Sequence, residues 1–332
     1  MKKNILQQCA APALCITTLL LASATASADT PVSLSGFLNA GSPSSFDLTA
    51  LQNYATANPT TVQTVTVGGD TYTGVSLYSY LDSYIATEYT SPTTTVKNDI
   101  LRDTVLATSA SGASTVFALG NLSPSGFGNQ NDIIAYQDSN GPLNAPSLIA
   151  PDGSSVYNLA SLNVSNVTYP GAGAGGQSTS FTVSGLVSNP TTYTAANLPG
   201  SFTPEVVGSY TGVSLWNLLV QDGISTNPAN YLNEYVIVTG TDNYQVVYSL
   251  EELSPQYGNQ NDIVAYATNT GAAIGANGFA RTIVPGDTKA GRWMSNLDSI
   301  TVVSAVPVPG SAVLMLSGLL AIGANRLRKS AA

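Results

Sequence analysis

A chain that writes GNQNDIIAY at residues 128–136 and GNQNDIVAY at 258–266 is tightly constrained, because whatever the first copy folds into the second must fold into too. The phrase is not isolated. YTGVSL at 72–77 returns at 210–215, VSLSGFLNAGSPSSFDLTAL at 32–51 is echoed by FTVSGLVSNPTTYTAANL at 181–198, and SLNVSNV at 161–167 matches NLDSITV at 296–302 in position. Four landmarks in one order describe an internal duplication rather than a recycled motif. From Gly74 to Gly128 is 54 residues and from Gly212 to Gly258 is 46, so the first copy carries eight extra residues, placed in the Thr- and Ser-rich stretch TEYTSPTTTVKND. YPGAGAGGQSTS at 169–180 reads as a flexible linker. The resulting division is a module over 31–168, a Gly-rich linker over 169–178 and a second module over 179–305.

Each module is long enough for a core of its own. Short β-branched or aromatic runs read as strands: VQTVTV, STVFAL and DIIAY in the first, EYVIVTG, YQVVYSL, DIVAY and SITVV in the second. GVSLYSYLDSYI and GVSLWNLLVQDG read as helix starts, and SLEELSP as a helical turn closed by Pro255. The class is α+β and strand-rich.

Charge narrows the chemistry. Charged residues are 9% of the 332, against ~25% in ordinary soluble domains. Five of the ten bases lie in the two tails, which leaves five bases against nineteen acids in the middle, a net −14. Such a surface repels phosphate backbones, so no nucleic-acid partner is expected. There is no histidine, and the two cysteines are Cys9 and Cys15. General-base imidazole, thiolate nucleophiles and disulfides are therefore excluded beyond the leader.

That leader, residues 1–28, has a basic start, an apolar stretch and an ASA ending at Ala28, the layout of a secretory signal peptide. The other end, 306–332, has a Pro-rich break at Pro307 and Pro309, an apolar segment over 311–324 and a basic end over 326–329 with Arg326 and Arg328. It resembles the PEP-CTERM sorting signal of Gram-negative exopolysaccharide producers, with Val308 where that family usually has Glu. The resemblance implies export, a transient inner-membrane anchor, an exosortase-type processing enzyme as partner, and a final place at the cell surface or in the extracellular matrix, where exopolysaccharide or other envelope components are the expected partners.

The second module also carries a family pattern. YTGVSLWNLLVQDGI, EYVIVTGTDNYQVVYSLEELSP, DIVAYATNTGAAI and ARTIVPGDTKAGRWMSNLDSITV follow one another as in the oxidoreductase molybdopterin-binding domain of the sulfite oxidase family. The resemblance covers nearly all of 181–303 and, more weakly, 32–167. It implies two tandem sulfite oxidase molybdopterin-domain-like modules. Active members of that family ligate molybdenum through a cysteine thiolate and hold an anionic pterin with basic groups. Residues 29–305 contain no cysteine, and only Arg281, Lys289 and Arg292 stand where pterin contacts would be expected. No cofactor is expected, although molybdopterin remains the cofactor the resemblance names.

Two sets of candidate site residues follow. Asn129, Gln130, Asn131 and Asp132, with Asn259, Gln260, Asn261 and Asp262, offer oxygens to sugar hydroxyls or, through Asp132 and Asp262, to calcium. One carboxylate per loop is thin for an ion that takes ~6–8 oxygens, and an Asx-type turn that satisfies loop backbone is the favoured reading. Arg281, Lys289, Arg292 and Trp293 form the other set, as an anion or carbohydrate contact or, more simply, with Arg281 paired to Asp287 and Trp293 in the core. Glu251 and Glu252 diverge on a helical turn, so by themselves they make no catalytic pair. The expected function is a non-catalytic binding or structural protein of the envelope. The alternatives are a molybdopterin-dependent oxidoreductase or pterin-binding protein, and a calcium-dependent adhesin or matrix scaffold.

Overall fold

The computed structural model describes residues 30–305. The signal-peptide reading with Ala28, and the tail with Pro307, Pro309, Arg326 and Arg328, lie outside the described residues. No helix among the described residues is long and apolar enough to cross a membrane.

The first module runs β1 (Val32–Gly36), β2 (Ser45–Phe46), α1 (Leu48–Ala57), β3 (Val62–Val67), β4 (Asp70–Ser76), α2 (Leu77–Asp82), β5 (Tyr89–Ser91), β6 (Thr94–Thr95), β7 (Asp103–Ser109), β8 (Ser114–Ala118), α3 (Leu119–Leu122), β9 (Ile133–Asp138), β10 (Gly141–Ile149) and β11 (Leu159–Asn166). The second runs β12 (Ser180–Gly185), β13 (Thr191–Thr194), α4 (Leu198–Ser201), β14 (Glu205–Val207), β15 (Tyr210–Ser214), α5 (Leu215–Gln221), α6 (Pro228–Tyr231), β16 (Glu234–Gly240), β17 (Gln245–Ser249), α7 (Leu250–Leu253), β18 (Ile263–Thr268), β19 (Arg281–Ile283) and β20 (Leu297–Ser304).

The two sheets of each module have one design. The order β2-β1-β11-β7-β8 in the first is β13-β12-β20-β16-β17 in the second, and β10-β9-β4-β3 becomes β19-β18-β15-β14. In both five-stranded sheets the first long strand pairs in parallel with the last, which then runs antiparallel to its other neighbour. Alternating apolar residues turn one face of each sheet inward. In the first module Val105 and Ala107 of β7 meet Val75 of β4 and Ile134 of β9 across the core, and α1 and α2 cover it with Leu51, Leu77 and Leu81. The eight extra residues fall where the sequence places them, on the β5–β6 hairpin and the 3-10 turn Asp99–Arg102.

The repeated YTGVSL is explained by packing. Ser76 and Ser214 cap α2 and α5, each accepting the backbone N–H three residues on at 3.2 Å. Just before them, the ladder shifts register at Gly74 against β9 and at Gly212 against β18. A Cβ on Gly74 would stand 2.3 Å from the carbonyl oxygen of Ile134, and one on Gly212 2.4 Å from that of Val264. Only glycine lets the strands approach that closely.

Two expectations change. Each module has a core of its own, but the second module's also takes in Leu101 and Phe127 of the first, because edge strands β8 and β17 meet with α3 and α7 packed over the join. The backbone N–H of Val116 donates to Leu232 at 2.7 Å across it. Nor does the Gly-rich stretch hang free. Gly173 and Gly175 donate to Asp242 and Thr241 at 2.9 and 3.0 Å, and Asn243 donates to Gly171 at 3.1 Å, so the linker is laid along the β16–β17 turn.

Replacing Gly74 or Gly212 with Ala is expected to destabilise the protein by ~1–3 kcal/mol through overpacking, whereas Gly200→Ala, where a Cβ meets nothing within 4 Å, should leave the denaturant midpoint nearly unchanged.

Candidate functional site: a buried carboxyl seam

The opening phrase is a turn that grips the helix before it. Asn129 and Asn259 adopt left-handed backbone, φ 53° and 48°, a conformation asparagine tolerates better than most residues. Gly128 and Gly258 lie against the ends of α3 and α7, where a Cβ would meet the carbonyl oxygens of Asn121 and Glu252 at 2.2 and 2.5 Å. The N–H groups of Gln130 and Gln260 donate to those two carbonyls at 3.0 Å. The carbonyls of Asp132 and Asp262 then accept the N–H groups of Leu77 and Leu215 at 2.8 Å, which ties each GNQND to the YTGVSL of its own module.

The side chains do more than shape the turn, because the two copies converge where the modules meet. Gln260 donates to Asn121 at 2.6 Å, Asn121 donates to Gln130 at 2.8 Å, and Gln130 donates to Asp152 at 3.0 Å. This one-directional relay runs from the second module into the first and ends on a carboxylate. Asp152 also accepts the Ser154 N–H and hydroxyl at 2.9 and 2.7 Å. Against it lies Glu251 of the second module, within hydrogen-bonding reach. Burial would raise the Asp152 carboxyl, but the hydrogen bonds from Glu251, Ser154 and Gln130 outweigh it and hold the group below its ordinary value. Glu251, 1% exposed, is pushed well up by burial and then by Asp152. Asp132 is raised well above the carboxylate range by burial and the Asp152 charge. Neither of its oxygens has a hydrogen-bond partner among the described residues. Within the trio, burial and the neighbouring charge favour the neutral form of Asp132 and Glu251, and hydrogen bonds favour the charged form of Asp152.

The other half of the seam holds the one cation. Arg292, fully buried, donates to Asp287 at 3.0 and 2.7 Å and to Glu252 at 3.1 Å. Its backbone carbonyl accepts the Tyr248 hydroxyl and Thr282. Asp262, 1% exposed, completes the group with neither carboxylate oxygen bonded. Burial raises Glu252 and Asp262 despite the guanidinium, since one positive charge faces three acids.

These contacts revise the expected pairing. Asp287 pairs with Arg292, not Arg281. Arg281 sits 5.5 Å from the Tyr210 ring centre and 5.6 Å from that of Trp293, makes no ion pair among the described residues, and is 8% exposed. Trp293 packs half-buried, its indole N–H on the Val284 carbonyl at 3.1 Å. Lys289 is the exposed member of the set, its stem over Gly126. Asp132 and Asp262 are sealed from solvent, and among the described residues no group of three Asp, Glu, His or Cys is placed to hold a metal, so the calcium reading finds no cage. Asn129, Gln130 and Asn131 line a polar surface cavity of about 360 Å³ with Gln63, Thr64 and Ser76. Asn259 and Asn261 are not joined to it.

Sequence reasoning missed Asn121 and Asp152, although aligning the copies places Asp152 of APDG beside Asp287 of VPGD. It also missed a second buried knot. Arg102, 1% exposed, pairs with Asp99 and, at 2.7 Å, with Glu88. The adjoining Asp103, bonded to Asn166 at 2.6 Å, is pushed by burial up to about 7.

No family model and no curated protein matches the sequence. Among solved structures, the sulfane dehydrogenase SoxCD from Paracoccus pantotrophus is similar at 15% identity and a TM-score of 0.29, over 69% of this chain and 53% of that one. The chain thus spans about half that structure's length, and the likeness is a distant one. Molybdopterin does not fit the residues present. The described chain has no thiol, Arg292 is fully engaged by two carboxylates, and Arg281 is stacked between aromatic rings.

Asp103, Asp132, Glu251, Glu252 and Asp262 all have folded-state values above the ~4 of an unfolded carboxyl. The native state therefore binds more protons, and stability present at low pH is lost as pH rises through the folded values. The melting temperature is expected to fall from pH 5 to pH 8, and Glu251→Gln to flatten that slope. Arg292→Met strands Glu252 and Asp287 and is expected to cost ~3–5 kcal/mol, read by denaturant unfolding.

Proposed function

We propose that this protein is a non-catalytic binding or structural component of the cell envelope or extracellular matrix. In this reading it is exported by its leader, sorted by its tail, and built on a duplicated molybdopterin-domain-like fold that has given up the cofactor. The observation that carries the reading is the fate of Arg292. The one base in the seam is closed off between Glu252 and Asp287 with no face toward solvent, so it is a structural counter-ion and not an anion receptor. The carboxyl pair Asp152–Glu251 has the elements of an acid–base dyad, with Asp152 held below its ordinary value and Glu251 pushed above it by burial. Glu251 is 1% exposed, which keeps it out of reach of a substrate.

Export is an expectation of the sequence ends, and the low charge with abundant Ser, Thr and Asn accords with it. The test is metal and pterin analysis of the exported chain from a host that makes the molybdenum cofactor. The expected result is a folded protein with no releasable pterin and only trace molybdenum. Near-stoichiometric molybdenum with pterin would return the chain to the oxidoreductases.

A further inference from the structure

The duplication accounts for most of the surface, and what it leaves over gathers in one place. The β5–β6 hairpin has no counterpart in the second module. Beside it lie Tyr169 of the linker and the β16–β17 turn of the second module. Together they enclose a cavity of about 300 Å³ lined by the hairpin threonines and Val96, and by Lys97, Arg102, Tyr169, Asp242, Tyr244 and Gln245. That is the small end of the ~300–1,000 Å³ range of ligand pockets, room for a sugar ring rather than a large flat cofactor.

The walls are amphipathic and held in place. The Tyr244 hydroxyl accepts from Asn98 at 2.7 Å and donates to the Gly291 carbonyl at 2.9 Å, so its ring cannot swing away. The Tyr169 backbone is held by Glu88 at 3.0 Å and its ring by Arg102, whose guanidinium carbon is 5.7 Å from the ring centre. Two polar atoms on the lining residues are buried without a partner among the described residues: the Nε of Arg102, a residue 1% exposed, and the Oε1 of Gln245. The Arg102 charge is already met by Asp99 and Glu88. Lys97 at the rim, 5.7 Å from the Tyr244 ring centre, balances Asp242 across the opening. The ionised groups in and around the pocket therefore sum to a slight negative excess, which disfavours an anionic ligand, and the walls offer aromatic faces, the Val96 side chain, hydroxyls and an amide.

An aromatic wall wants the C–H face of a ring, and the rim wants hydroxyl groups that both donate and accept. We propose that this cleft between hairpin, linker and turn binds a neutral hexopyranose unit of a polysaccharide. This rests on the binding-protein reading above and adds to it the ligand class and the place. A phosphorylated ligand is disfavoured by the acidic surface.

The test titrates the exported protein with a cello-oligosaccharide, and with an oligouronate for comparison, following tyrosine fluorescence and calorimetry. The expected result is saturable binding of the neutral sugar, weakened about tenfold, or ~1.4 kcal/mol, by Tyr169→Ala and restored by Tyr169→Phe. Thr95→Lys, an exposed change on the hairpin, should block the cleft with an unaltered melting temperature, and Gln63→Ala in the other polar cavity should change nothing. No binding of the neutral sugar, stronger binding of the uronate, or binding indifferent to Tyr169→Ala and Thr95→Lys would overturn the proposal. Pterin measured on the same preparation separates the two claims: a loaded protein sinks the non-catalytic reading, while an empty protein that ignores the sugar sinks only this cleft.

Discussion

Six carboxyl groups and one guanidinium share the water-poor junction of the two modules, and the rest of the architecture is arranged around that imbalance. If every acid were ionised, a low-dielectric interior would hold five uncompensated charges, which no packing could offset. The structure divides the problem. Asp152 is held below its ordinary value against the effect of burial by Glu251, a serine N–H, a serine hydroxyl and the Gln130 amide. Burial raises Asp287, and its hydrogen bonds and ion pair with Arg292 oppose that shift. Glu251 and Asp132 are driven toward the protonated form, and Glu252 and Asp262 are raised in the same direction.

The duplication makes this possible by diverging at the seam. Positions that match in the two copies carry complementary groups rather than identical ones. Asn121 stands where the second module has Glu252, so the relay from Gln260 finds an amide able to accept and donate at once instead of a second acid. Gly120 matches Glu251 and leaves room for the Arg292 stem, 3.4 Å from where its Cβ would be. Two unchanged copies meeting edge to edge would have set like charges against each other, and the junction of β8 with β17 would have been repelled rather than closed.

How much of this was legible follows from the range of the interactions. The strands DIIAY and DIVAY, the helix starts at Leu77 and Leu215 and the turn ended by Pro255 rest on contacts between near neighbours, and the sequence pattern reports those. The extra hairpin was visible as a difference in spacing. The partner of Asp287 was not, since Arg281 and Arg292 lie six and five residues away. What separates them is that Arg281 is fixed in β19 beside Tyr210, while Arg292 follows in a 3-10 turn that folds back on Asp287. The convergence of Glu251 with Asp152 was invisible for a stronger reason. It depends on how two finished modules dock, and no local signal encodes that.

The same docking gives the glycine-rich linker its role. A free tether would leave the first module's hairpin and the second module's turn at variable separation, and no cleft of fixed shape could form between them. Laid down by hydrogen bonds to Asp242, Thr241 and Asn243, the linker carries Tyr169 to the cleft between hairpin and turn. The acid seam is largely buried, and the hydrogen bond from Gln260 to Asn121 joins the two modules across it. A surface that spans both can then be preorganised, which neither copy could achieve alone.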